Sequence, residues 1–190
     1  MAGEKQDRRT QRTVEALIHA MLVLMERKHY AAISVQDIVE EANVGRSTFY
    51  AHFQNKDELL IGGFSHLLDH LVEEMRLDEA GQVAFAPVML FRHANGHYDV
   101  YRTLLWGSGF ELLMQNGHAA FSEKIEERLA SLLPDAEPAV PLPVTASTLA
   151  GGLLILVKWW LDNKMPYGPD EMNDMFQKLV MPGIREALGA

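Results

Sequence analysis

Apolar positions along this chain recur at three- and four-residue spacing, and no stretch alternates apolar and polar residues between turn signals. The pattern predicts helices throughout and no strand. Val14, Leu17, Ile18, Met21, Leu22 and Met25 make one stripe, so a first helix runs through them and ends near Lys28-His29, cations suited to a helix C-terminus. Ser34 opens a second helix, with Asp37 completing a weakened capping box and Ile38 and Val39 on the inner side. Asn43 closes it, since Asn is the commonest substitute for Gly in a left-handed backbone. A very short third helix starts at Gly45 or Arg46 and ends near His52. Helix, tight turn, helix is a motif in its own right.

A fourth helix begins at Lys56-Asp57 and carries Leu59, Leu60, Phe64, Leu67, Leu68, Leu71 and Met75, long enough to bridge two regions. "DEAGQ" breaks the pattern. A fifth helix is expected over 83–94, kinked at Pro87, with "NGH" ending it. "YDVYRTLLW" is a sixth, and "FELLMQN" and "AAFSEKIEERLASLL" follow as one interrupted helix or two. "PDAEPAVPLP" is a proline-rich connection. Two final helices come from "VTASTLAGGLLILVKWWLDN" and "PDEMNDMFQKLVMPGIREAL". The fold class is all-α, about nine helices, divided into a helix-turn-helix unit over 1–58 and a helical unit over 59–190.

Composition narrows the chemistry. No cysteine occurs in the 190 residues, which excludes disulfides, thiolate zinc sites and cysteine nucleophiles. The N-terminus "MAGEKQDRRTQRT" has no apolar core of a signal peptide. The run "LAGGLLILVKWWL" is interrupted by Lys158 and reads as too short for a bilayer. A cytoplasmic location with no membrane partner is the expectation. The net charge of −9 argues against a nucleic-acid partner taken as a sum. Its distribution argues otherwise: residues 1–60 carry eight Lys/Arg against nine Asp/Glu, and the remainder nine against seventeen. The first third is nearly neutral and can present a basic face.

The segment "EEANVGRSTFYAHFQNKDEL" combines hydroxyls, an Arg and aromatic rings. A helix with one face on its own domain and one in a DNA groove needs both kinds of residue. Phe49 and Phe53 share a face with Val44 and anchor the short helix. Arg46, Ser47, Thr48, Tyr50 and Ala51 fall near the groove, where hydroxyls bond phosphates or bases and Arg bonds guanine. Lys56, at the start of the next helix, is expected to clamp a phosphate. The candidate DNA-binding set is Ser34, Gly45, Arg46, Ser47, Thr48, Tyr50, His52 and Lys56.

The run "ISVQDIVEEANVGRSTFYAHFQNKDELL" resembles the DNA-binding signature of the TetR family of bacterial transcription regulators, and "GGLLILVKWWLDNKMPYGPDEM" resembles a common ligand-binding domain of that family. The resemblance implies an all-helical homodimer whose first three helices bind palindromic operator DNA. The remainder would hold an inducer pocket and the dimer interface. The chain departs from the pattern at Asn43, where the family has glycine, at Gly45, often a hydroxyl residue, and at Ser47, often glycine. These departures bear on operator choice.

Aromatic and Met residues beyond the fourth helix suit a soft apolar pocket. The candidates are Phe64, Leu67, Met89, His93 and Tyr101, with Trp106, Phe110, Met114 and Trp159. An unknown small, mostly apolar inducer is expected. The penultimate helix is apolar almost all round and must bury a second face, for which a two-fold four-helix contact is the solution. Leu153, Leu156, Val157 and Trp160 there, with Met172, Met175, Phe176 and Leu179 on the last helix, are the candidate interface. Gly151 and Gly152 permit close helix approach.

His93 and His97 stand four apart, a spacing that can hold a metal, but Asn95-Gly96 is expected to break the helix between them. "GSG" at 107–109 lacks the spacing of a nucleophile elbow. No metal, cofactor or catalytic residue is assigned. The function expected is a sequence-specific repressor released by a ligand. A helical dimeric interaction protein without DNA binding stays open, as does a small-molecule-binding enzyme or carrier.

Overall fold

The computed structural model describes residues 2–105, 117–135 and 137–189. Helix α1 spans Ala2–Arg27, and a 3-10 turn at Tyr30–Ala32 follows it. Helices α2 (Val35–Glu41), α3 (Arg46–Tyr50) and α4 (Lys56–Glu73) come next. Strands β1 (Arg76–Leu77) and β2 (Val83–Ala84) lead to α5 (Val88–Gly96) and α6 (Tyr98–Leu105). The C-terminal part holds α7 (His118–Leu132), α8 (Leu142–Asp162), α9 (Pro169–Leu179) and α10 (Met181–Leu188).

Two apolar cores organise these elements. The first gathers Leu17, Met21 and Met25 of α1, Ile38 and Val39 of α2, Phe49 of α3 and Leu59 and Leu60 of α4. Val100 of α6 also belongs to it, so one helix of the second half reaches into the first core. The second core is built around α7 and α8, with Leu68, Leu71 and Val72 of α4, Phe85, Phe91 and the closing helices α9 and α10. Phe64, half-buried on α4, packs against both.

Close approach at two glycines fixes α4 in place. A Cβ on Gly63 would stand 3.2 Å from Ile18 Cγ2, so α1 lies hard against α4 there. A Cβ on Gly117 would stand 2.9 Å from Phe64 Cε1, so the start of α7 meets the ring that joins the two cores.

Several boundaries differ from the sequence reading, each for a local reason. The break at "DEAGQ" is a small antiparallel hairpin, pairing Arg76 with Ala84 and Leu77 with Val83. Asp78 Oδ1 accepts the N–H groups of Ala80 and Gln82, both at 2.9 Å, and Gly81 turns the chain at φ 76°. Two-residue strands are too short to show alternation. The fifth helix starts at Val88, with Pro87 as its N-cap residue rather than a kink inside it. It continues through Asn95 to Gly96, so "NG" does not break it. The last expected helix is two, divided at Val180, with Pro182 in the first turn of α10. Helix α8 has 21 residues and is by length and composition long and apolar enough to cross a bilayer. Half of that stretch is buried in the fold, and Lys158 pairs with Asp162 one turn on. The apolarity belongs to a core helix.

Candidate nucleic-acid interface and ligand cavity

The short helix α3 is held by its neighbours rather than by its own length. Ser34 caps α2 with a full capping box: its Oγ accepts from Asp37 N at 3.2 Å, and Asp37 Oδ2 accepts from Ser34 N at 2.8 Å. Asp37 Oδ1 also takes Lys28 Nζ at 2.8 Å, which ties the end of α1 to the start of α2. Arg27 and Glu41 make a second tie at 3.2 Å. Asn43, at φ 52°, supplies the left-handed turn, and Val44 tucks in behind it.

From that turn α3 shows two faces. Phe49 has no exposure and lies edge-on to Tyr50 at 5.4 Å and 6.0 Å from Phe53. Gly45, Arg46, Ser47 and Tyr50 face solvent, Tyr50 being 50% exposed, while Thr48 and His52 are half-buried. Arg46 has no ion-pair partner among the described residues. The carboxylates of α2 are engaged internally: Asp37 with Lys28, Glu41 with Arg27, and Glu40 with Gln36 Nε2 at 2.6 Å. Among the described residues of α2 and α3, Arg46 is therefore a cation with no ion-pair partner.

Lys56 differs from its expected role. Its ammonium donates to the carbonyls of Tyr30 at 2.9 Å, Ala31 at 3.3 Å and Ile33 at 2.9 Å, and lies 4.6 Å from the Tyr30 ring centre. The Tyr30 carbonyl also accepts from Ile33 N at 3.1 Å, and the ammonium adds a second donor there while reaching the carbonyls of Ala31 and Ile33. The N-terminus of α4 is also engaged, since Asn55 accepts from Glu58 N and the Glu58 carboxylate accepts from Gln54 N. Tyr30 donates its hydroxyl to Asp57, and burial, then that bond, pushes the phenol above its usual range. Lys56 is thus a brace between the turn and α4. Ser34, likewise, uses its hydroxyl as a cap while remaining exposed.

Between the two cores lies a cavity of about 310 Å³. Phe64, Leu67, His93 and Tyr101 of the expected pocket set line it. Two others do not: Met89 is 47% exposed, and Trp159 is 45% exposed and stacks on Tyr167. Trp106, Phe110 and Met114 lie outside the described residues, as does "GSG" at 107–109. Sequence reasoning missed the lining supplied by α1, notably Ile18, His19 and Leu22. Periodicity assigns Ile18 and Leu22 to the DNA-binding unit's own stripe, and His19 lies outside it. His93 and His97 sit with ring centres 4.7 Å apart, because the helix runs on past Asn95.

The expected dimer residues divide. Leu153, Val157, Trp160, Met172 and Phe176 are buried in the chain's own core. Trp160 packs edge-on to Phe91 at 5.7 Å and donates its indole N–H to Tyr167 O at 2.8 Å. Leu156 and Met175 are half-buried, and Leu179 is 73% exposed. Gly151 and Gly152 lie against His118 and Val180 of the same chain. The apolar stripe left open on α8 is Val144, Ile155 and Trp159.

Comparison with known proteins now decides the family. Residues 17–62 match the family described as bacterial regulatory proteins, tetR family, and residues 88–182 match a transcriptional regulator C-terminal region. The chain belongs to the TetR family. An uncharacterized HTH-type transcriptional regulator of Bacillus subtilis, YxbF, is 47% identical over 74 residues, covering 36% of this chain and 20% of its own. The dhaKLM operon transcriptional activator DhaS of Lactococcus lactis is 37% identical over 62 residues, 33% of each chain. The chain thus spans a fifth to a third of the length of these relatives. The structure of a TetR transcriptional regulator from Streptococcus agalactiae superposes with a TM-score of 0.58 at 25% identity, covering 94% of this chain and 99% of that one. The TetR-family chain shares the all-α architecture of that regulator.

Proposed function

We propose that this regulator is a homodimeric, cytoplasmic repressor that holds a palindromic operator and releases it when a small, mostly apolar ligand binds. The observation that carries this reading is α3: a helix fully anchored by Phe49 whose Arg46, Ser47 and Tyr50 face outward. Arg46 and Thr48 read base edges, and Tyr50 meets phosphate. The dimer forms through the open stripe of α8 with Leu179 of α9, and it sets two copies of α3 about 34–36 Å apart, one turn of duplex. The chain acts by binding and not by turnover.

Release follows from differential affinity. A ligand that prefers a different separation of the two reading heads shifts the population away from the DNA-competent one, by about 1–3 kcal/mol in typical cases. The sign of regulation is set by where the operator lies. DhaS is by name an activator, so common family membership does not fix the sign.

A fluorescence-anisotropy titration on the palindrome flanking the gene tests the reading. Tight binding that weakens steeply with salt is expected. Absence of salt-sensitive binding to any duplex would remove DNA recognition from the account.

A further inference from the structure

The cavity lies between the two cores, and its lining is almost wholly apolar. Ile18 and Leu22 of α1 form one wall, Phe64 and Leu67 of α4 another, and Tyr101 of α6 a third. Helix α1 belongs to the core that carries the reading head. At about 310 Å³ the volume is at the low end for ligand pockets, which run about 300–1,000 Å³. Its charged and titratable lining at Glu15, His19, His66 and His70 is exposed, so it marks the mouth.

The interior holds a different pair. His93 and Tyr101 both line the cavity, with rings edge-on at 5.9 Å. Neither side chain has a hydrogen-bond partner among the described residues. Burial, then the neighbouring His97, holds the His93 imidazole below its usual range, so it is neutral at physiological pH. Burial raises the Tyr101 phenol, so it too is neutral. Two neutral groups offer hydrogen bonds to an apolar chamber and offer no charge. An ionised group placed between these two would lose its hydration with no charge of opposite sign beside it, since Glu15 stands at the mouth. A neutral oxygen gains up to two hydrogen bonds.

We propose that this cavity is the effector site, and that it takes an uncharged, compact apolar molecule bearing one hydroxyl or carbonyl oxygen held between Tyr101 and His93. The site acts on the reading head directly, because α1 is one of its walls. A ligand there presses on the helix to which α2 is tied by Lys28–Asp37 and Arg27–Glu41. This inference rests on the ligand-released reading for its consequence, while its binding claim stands on the cavity alone.

The test uses the full chain and a matched ten-carbon series: decane, decanol, methyl octyl ketone, decanoate and decylamine. Isothermal titration without DNA is the first arm. The alcohol and the ketone are expected to bind at least about tenfold tighter than the acid and the amine. Tyr101→Phe should narrow the gap between ketone and decane by about two- to tenfold, the worth of one hydrogen bond. Ile18→Trp, filling the chamber from the α1 side, should abolish binding. Leu67→Trp does the same from α4, should the first variant not fold. Tighter binding of decanoate or decylamine would overturn the proposal. So would an unchanged gap in Tyr101→Phe, or no binding by any member. The second arm adds operator duplex. Binding of the ketone without release of DNA would sink the release reading and leave the site standing.

Discussion

Arg46 and Lys56 stand ten residues apart, and the sequence sets both against DNA, yet the fold gives them opposite jobs. Arg46 is exposed and unpaired among the described residues, whereas three backbone carbonyls hold the Lys56 ammonium. Arg46→Ala should therefore cost about 1–3 kcal/mol of operator affinity and relax preference at one base position. Lys56→Met should leave the slope of log affinity against log salt unchanged and lower stability by about 1–3 kcal/mol, since carbonyls bonded to a cation lose it. A slope that falls by about one in Lys56→Met would put its charge on a phosphate after all. Asp37 carries a second residue-scale prediction. Lys28, then the Ser34 N–H and hydroxyl, hold its carboxyl below the ordinary range. A depressed folded pKa contributes stability above the unfolded value and loses it as pH falls. The stability difference between the native chain and Asp37→Asn should be full at pH 7 and close below about pH 4, read by urea melts at each pH. What was legible at this scale was local. Asn43 and Ser34 act within four residues of themselves, so spacing revealed them. The partners of Lys56 lie across the 3-10 turn, and no periodicity reports that.

Elements were legible where a single apolar face decides them. Helices α1 to α3 follow their stripes because each buries one side against one core, and α4 follows its own along both. Helix α8 was harder. It is apolar nearly all round, and composition cannot say which apolar side faces home. The structure buries Leu153, Val157 and Trp160 inside and leaves Ile155 and Trp159 out, a division set by α7, α6 and α10 packing on it. Pro87 shows the same limit from the other side. A proline predicts either a kink or a start, and here buried Val83 and Phe85 pull the preceding segment into a strand and loop. The joint at α4 gives the element-scale prediction. Because a Cβ at Gly117 would come within 2.9 Å of Phe64, Gly117→Ala must displace the ring that both cores share. The expected cost is about 1–3 kcal/mol, as for other overpacked sites. Calorimetry should show a lower Tm, and titration should show weaker ligand binding, since Phe64 also lines the cavity. A variant with native Tm and native ligand affinity would mean that the ring moves without consequence.

At the scale of the whole molecule, the reading face and the open stripe of α8 lie on different cores, and the proposed function requires both at once. One head touches one half-site, and its few contacts give modest affinity alone. Two heads joined rigidly convert the second contact into an intramolecular event, a gain of about 100- to 10,000-fold when the spacing fits. The stripe can be broken without touching either core. Ile155 is 62% exposed, so Ile155→Glu should leave the fold of a single chain within about 0.5 kcal/mol of native. In a two-fold contact it would bring carboxylates into an apolar seam from both sides, where neither finds a partner. Sedimentation should then report a monomer with native helical content. Its affinity for the palindrome should drop to that for an isolated half-site, a loss of about 100-fold or more. The ligand cavity, which is built within one chain, should still bind its ligand at native affinity. If Ile155→Glu still sediments as a dimer, the two copies meet somewhere else, and the face assigned to α8 is wrong even though α3 keeps its role. A monomer that holds the palindrome as tightly as the native chain would instead show that a single head is enough, and pairing would no longer explain why the operator is symmetric.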